Sequence, residues 1–171
     1  MSRVGLVTRR SFLLGAGLAA GGLTLGLFGD EASAADPPAP GALGPGLAPN
    51  VMVHITETGV VTIVCARSEM GQGVRSSVPL LVADELGAVP ERVVVVQAVG
   101  DKKYGDQNTD GSTSIRKFDD KLRRMGAVAR TMLVSAAAKQ WNVKPDTCEA
   151  IDGAVKHAAS KRSLGFGELV K

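Results

Sequence analysis

Ser68-Glu69-Met70-Gly71-Gln72-Gly73-Val74 is the stretch on which the fold turns. The β-branched run Val60 to Ala66 precedes it and reads as a strand. Val74, Val78, Leu81, Val82 and Leu86 follow it at helical spacing. Pro79 is expected in that helix's first turn, where its missing N–H is harmless, which places the start at about Ser77; Gly87 ends it. The stretch is therefore a strand-to-helix junction. A second polar loop, Gln107-Asn108-Thr109-Asp110-Gly111-Ser112-Thr113-Ser114, has the same placement. Before it runs Arg92 to Ala98, apolar enough to lie inside a sheet. After it Ile115, Phe118, Leu122, Met125, Ala129, Leu133 and Ala136 mark an amphipathic helix to about Trp141, stopped by Asn142 to Pro145.

Outward from this centre, Val51 to Glu57 alternates as a strand, joined to Val60–Ala66 by a Thr58-Gly59 turn. Cys148 to Ile151 and Ala154 to His157 read as two short strands around Asp152-Gly153, and residues 165–170 as a helix just starting. The order β-β-loop-α-β-loop-α-β-β predicts an α+β fold, a mixed sheet with two helices packed on one face. Residues 36–50 are rich in Pro, Gly and Ala and receive no secondary structure.

Thr8-Arg9-Arg10-Ser11-Phe12-Leu13 is a twin-arginine signature, and the weakly apolar stretch after it is shorter than a membrane-spanning helix needs. Ala32-Ser33-Ala34 supplies a small-x-small cleavage pattern. The organisation expected is a signal peptide over residues 1–34, a linker over 35–50, and an incomplete cofactor-binding domain over 51–171. The location expected is periplasmic, with membrane association through an uncleaved leader or through a partner as the alternative. The twin-arginine route carries folded proteins and so suits enzymes loaded with cofactor before export.

The chain has 171 residues and is 44% hydrophobic, enough for one domain with a core. A net charge of +3 makes no case for nucleic acid as a partner. The two cysteines, Cys65 and Cys148, fit neither an iron–sulfur nor a zinc spacing; a disulfide and two separate thiols both stay open. His54 and His157 lack partners at ligand spacing, and Asp84-Glu85 reads as a solvated face. No catalytic residue and no metal ligand is assigned.

Gly71 and Gly73 flank Gln72, so backbone can approach a ligand with no Cβ in the way, while the Gln72 amide offers a donor. Gly111, Ser112, Thr113 and Ser114 bring hydroxyls and N–H groups to a helix start, where negative charge is favoured. Both loops together are read as holding a large phosphate-bearing cofactor. The plainer reading is a glycine turn in the first case and an ordinary N-cap in the second. The pattern is not Gly-x-Gly-x-x-Gly, which argues against nicotinamide or flavin, and no Walker-type lysine is present.

At these loops the sequence resembles the molybdopterin-binding large subunit of the xanthine oxidase family, more narrowly its isoquinoline 1-oxidoreductase beta subunit and exported aldehyde dehydrogenase branch. The matching residues are Ser68 to Val74, Leu81-Val82-Ala83-Asp84-Glu85-Leu86, Gly111 to Arg116, and Leu122 to Arg130. The resemblance implies a molybdopterin cytosine dinucleotide cofactor contacted by Gly71, Gln72, Gly73, Gly111, Ser112, Thr113 and Ser114, with molybdenum held by the dithiolene. It implies hydroxylation of an aldehyde or N-heterocycle with oxygen from water. The 2Fe-2S clusters would sit on a separate small subunit, with a c-type cytochrome subunit and the remainder of the large subunit as further partners. Two departures stand out. Asp110 replaces a common Gly, and nothing here matches the family's catalytic glutamate. The chain is therefore expected to be an N-terminal fragment or a piece of a split enzyme, inactive alone. The competing expectation is a small exported binding protein that kept the fold and lost the cofactor.

Overall fold

A computed structural model describes residues 45–171; the twin-arginine leader and the linker up to residue 44 lie outside the described residues. Strands β1 (Gly46–Asn50), β2 (Val53–Thr56), β3 (Val61–Cys65) and β4 (Val93–Gln97) form one sheet in that order. The first two pairings are antiparallel and β3–β4 is parallel, in register from Val61↔Val93 to Cys65↔Gln97. A parallel pair needs a crossover, and helix α1 (Val74–Leu86) provides it. Helix α2 (Asp119–Trp141) lies beside α1. Strands β5 (Cys148–Ile151), β6 (Ala154–His157) and β7 (Arg162–Gly165) form a second, antiparallel sheet, followed by the single turn α3 (Phe166–Leu169).

The fold is α+β, with a mixed sheet and two helices on one face. Period-2 alternation explains which face: Val61, Ile63 and Cys65 of β3 join Val78, Val82 and Leu86 of α1 and Leu122, Ala129 and Leu133 of α2 in one core. The opposite face of β3 carries Val64, which packs with Met52, Ala66 and Tyr104 in a smaller cluster. Tyr104 ends a short 3-10 turn, Lys102–Tyr104, whose first N–H groups are capped by Asp101. The two helices approach closely because Gly126 has no side chain: a Cβ there would sit 2.5 Å from the Val82 carbonyl oxygen.

Several expectations need correction. The linker reading ran to residue 50, but Gly46–Asn50 is a strand paired with β2. It is an edge strand, which explains how Pro49 is tolerated, and its register slips between Leu47 and Asn50. Helix α1 begins at Val74 rather than Ser77, so Pro79 lies in its second turn. The earlier start is supported by the Glu69 carboxylate, which accepts from Arg75 N–H at 2.9 Å and so satisfies a helix-end donor. The segment Thr113–Phe118 already makes helix-like bonds (Lys117 N–H to Thr113 O, Asp119 N–H to Ile115 O) before α2 proper. Asp84-Glu85 is not simply a solvated face. Glu85 bridges the helices, accepting from Arg130 Nη2 at 2.7 Å with Arg123 Nη1 at 3.7 Å.

Candidate functional site

Parallel pairing of β3 with β4 sends both strands out of the sheet at the same edge. Ala98 N–H donates to Cys65 O at 2.8 Å, and the Gln97 amide donates to Cys65 O and Arg67 O at 3.0 and 3.2 Å. The loops that follow are thus neighbours by construction, at the carboxyl ends of strands where open α/β sheets bind ligands. Cross-links confirm the proximity. Ser68 N–H donates to Thr109 Oγ1 at 2.9 Å, and Arg67 Nη1 donates to the Asn108 carbonyl.

Between the loops lies an open pocket of about 440 Å³. Met70, Gln72, Val74 and Ser77 line one side; Thr109, Asp110, Gly111, Ser112, Ser114 and Ile115 line the other. Of the seven residues singled out from sequence, the pocket brings together Gln72, Gly111, Ser112 and Ser114. Gly71, Gly73 and Thr113 are not in its lining. Thr113 is buried, and its hydroxyl turns back onto the Asp110 carbonyl at 2.9 Å.

The first loop is not the free anion nest that its glycines led one to expect. Glu69 Oε1 accepts from Gly71 N–H at 2.7 Å and Gly73 N–H at 3.0 Å, while Oε2 takes Arg75 N–H. The loop carries its own anion. Gln72 is also engaged: its Oε1 accepts from Met70 N–H at 2.6 Å and its Nε2 donates to Ser68 O at 2.7 Å. A primary amide has two N–H groups, so one donor is left on Nε2. Gly71 and Gly73 have φ of 96° and 80°, and a Cβ on either would project into open space. Their glycine identity therefore serves the backbone turn and keeps that space clear.

The N–H groups of Arg75, Gly73 and Gly71 lower the Glu69 carboxyl below its ordinary value, Arg75 having the largest effect. A group lowered in the folded chain stabilises it above the unfolded pKa and loses that effect as pH falls through the folded one. An NMR titration should therefore show the Gly71, Gly73 and Arg75 amides shifting together only below about pH 4.3, the ordinary glutamate value. A common midpoint at or above that value would remove the internal cap from the account.

The second loop offers what the first lacks. The N–H groups of Ser112 and Ser114 donate to no group among the described residues, and both residues border the pocket. Ser112 is in the left-handed region at φ 55°. Asp110 also borders the pocket, but its Oδ2 accepts from Asn108 Nδ2 at 2.9 Å, which draws the carboxylate toward the loop's own polar group. The residues present fit an anionic group: N–H and hydroxyl donors on one wall, and on the other the Gln72 amide, fixed by its bonds to Met70 and Ser68.

Arg67 is the residue that sequence reading missed. It is 3% exposed, stacks its guanidinium 3.9 Å from the Phe118 ring centroid and reaches the Asn108 carbonyl, so it joins β3 to the second loop and the start of α2. Its only local signal is an arginine at the end of an apolar strand. Cys65 and Cys148 are free thiols. Burial pushes the Cys65 thiol up, and its Sγ faces the Arg67 carbonyl at 3.4 Å. His54 and His157 are both buried, and His157 Nδ1 pairs with Ser160 Oγ at 2.7 Å. Among the described residues no cluster of three His, Cys, Asp or Glu is placed to hold a metal, and no helix is long and apolar enough to cross a membrane.

Comparison with known proteins places these loops in context. The family described as "Molybdopterin cofactor-binding domain" matches residues 14–171. The chain is 43% identical over 131 residues to "Isoquinoline 1-oxidoreductase subunit beta" of Brevundimonas diminuta, covering 72% of this chain and 17% of that protein. It is 30% identical over 122 residues to "Membrane-bound aldehyde dehydrogenase [pyrroloquinoline-quinone]" of Gluconacetobacter polyoxogenes, covering 71% of this chain and 16% of that one. The chain thus spans less than a fifth of these relatives' lengths. In fold it is similar to the crystal structure of quinoline 2-oxidoreductase from Pseudomonas putida 86, with a TM-score of 0.56 and 21% identity over 68% of this chain and 15% of that one.

Proposed function

The chain belongs to the molybdopterin cofactor-binding domain family, and on that premise we propose that it forms part of the cofactor pocket of an exported molybdenum hydroxylase. The observation that carries this reading is the pocket itself, walled by both glycine-containing loops. Gly111, Ser112 and Ser114 would take the phosphate end of a molybdopterin cytosine dinucleotide through their N–H and hydroxyl donors. Thr113 holds that turn by its bond to Asp110. Gln72 would present its remaining N–H to the pterin end, with Gly71 and Gly73 keeping the approach clear. When bound, the cofactor supplies the molybdenum at which an aldehyde or N-heterocycle carbon is hydroxylated with oxygen from water.

We assign no residue of this chain to proton transfer; in this reading the catalytic base would come from another part of the large subunit. Electrons would leave through a small subunit carrying 2Fe-2S clusters and then a c-type cytochrome subunit. Thr8 to Leu13 supports export by the twin-arginine route in the loaded state, with a retained leader or a partner supplying any membrane association.

A second reading has one observation in its favour. Because Glu69 fills the first loop's donors from within, the fold is self-sufficient there and would persist as an exported binding protein without cofactor. The test is purification of the full chain from the periplasm with its partner subunits co-expressed, followed by molybdenum analysis and acid release of the nucleotide. Molybdenum together with CMP is the expected result, both lowered by Gln72→Ala at an unchanged melting temperature. Molybdenum absent despite the partners supports the second reading, and a quinone chromophore in its place supports a cofactor of the kind named for the Gluconacetobacter relative.

A further inference from the structure

The pocket between the two loops has a single charged residue in its lining, and that residue is an acid, Asp110. An anion entering it meets N–H and hydroxyl dipoles together with a charge of its own sign, a repulsion that calls for a nearby cation. Arg116 is placed to supply one. It follows directly on Ser114 and Ile115, both of which border the pocket, and it is exposed. Its side chain folds back onto the loop: Nη2 donates to the carbonyl of Gly111, a further wall residue, at 3.4 Å. That is longer than the roughly 2.7–3.2 Å of an ordinary N–H···O bond, so the guanidinium is held at the wall only weakly. No carboxylate among the described residues lies within ion-pair distance of it. Arg67, the other arginine tied to this loop, is already committed. It is buried, stacked on Phe118 and bonded to the Asn108 carbonyl. Arg116 thus carries a full charge and a fork of donors of which only one is in use.

We propose that Arg116 is a specificity-determining residue of the pocket, selecting a nucleotide ligand by the charge of its phosphates. The inference rests on the reading of the pocket as a nucleotide-cofactor site and adds the residue that senses how many phosphates the ligand bears. The guanidinium leaves the Gly111 carbonyl and donates to two oxygens of a diphosphate, a geometry that its planar fork matches and an ammonium does not. Gly111 is exposed, so its carbonyl is left to solvent and the exchange costs little. The positive charge offsets Asp110, and the Ser112 and Ser114 donors complete the contact from the loop itself. The order of preference that follows is nucleoside diphosphate over monophosphate over nucleoside.

The test is titration of the labelled full chain with cytidine diphosphate, cytidine monophosphate and cytidine, wild type against Arg116→Gln and Arg116→Lys, followed by amide shifts. Arg116→Gln is expected to weaken the diphosphate by about 10-fold or more, the size of a lost charged hydrogen bond. It should leave cytidine unaffected and shrink the preference for diphosphate over monophosphate. Arg116→Lys should recover part of the loss, because it restores the charge without the fork. Both variants should melt with the wild type, since the side chain is exposed and makes one weak contact. Diphosphate affinity within twofold of wild type in Arg116→Gln, with both loops still shifting, overturns this proposal and leaves the pocket reading standing. Equal weakening of diphosphate and cytidine also overturns it, assigning Arg116 to the shape of the loop. A wild type in which no ligand shifts either loop removes the pocket reading and this inference together.

Discussion

Gly126→Val should destabilise the chain by roughly 3 kcal/mol or more, the largest effect of any substitution proposed for this fold. A Cβ at this position would lie 2.5 Å from Val82 O, 2.9 Å from Glu85 Cβ and 3.2 Å from Leu86 N. Two of those three atoms belong to helix backbone, which cannot rotate away as a side chain can. The whole of α1 would have to shift, and with it the core made by Val82, Leu86, Ala129 and Leu133. The Arg130–Glu85 ion pair beside the contact would be stretched as well. Gly126→Ala separates the two influences on this site. Alanine gains about 1 kcal/mol of helix propensity over glycine but brings the same clash, so it should still be net destabilising. Urea denaturation of the full chain measures both; a valine variant within about 1 kcal/mol of wild type would mean the helices are farther apart than described.

Arg67→Ala should cost roughly 2–4 kcal/mol, from a charge-assisted hydrogen bond to the Asn108 carbonyl and the stack on Phe118. The loss has a location as well as a size. Those contacts tie the second loop and the start of α2 to β3, so the variant should become sensitive to protease between residues 99 and 114 before the sheet does. Arg67→Lys should not rescue it, because an ammonium has no planar fork with which to stack and donate at once. Uniform destabilisation with an unaltered cleavage pattern would assign Arg67 to ordinary packing.

The elements that sequence revealed are those whose pattern is local. Val61–Cys65 is a continuous apolar run because it is an inner strand, buried along its whole length; Val93–Gln97 reads the same way from its valines but closes one edge of the sheet, with Val94 exposed. The parts that were hidden depend on distant partners. Strand β1 carries Gly46 and Pro49, a composition that reads as linker, and its pairing with β2 decides otherwise. Strand β7, Arg-Ser-Leu-Gly, shows no apolar alternation and is recruited by β6. The start of α1 was misplaced because its cap is Glu69, separated from Arg75 by a turn of glycines. At the site, glycines and hydroxyls marked both loops, yet the carboxylate that fills the first of them came from a residue read only as part of a motif. Glu69 standing two and four residues before Gly71 and Gly73 is the signal that identifies it. No local pattern could identify Arg67, whose partners are about forty residues away.

The claim on which the rest depends is that Met70–Val74 and Thr109–Ile115 are opposite walls of one ligand site. Titration of the isotopically labelled full chain with cytidine diphosphate, followed by amide chemical shifts, tests it most directly. The account predicts that residues of both loops shift together along one saturation curve, with the larger changes at Ser112 and Ser114, where donors are free. Shifts confined to one loop, or two loops saturating at different concentrations, would contradict it.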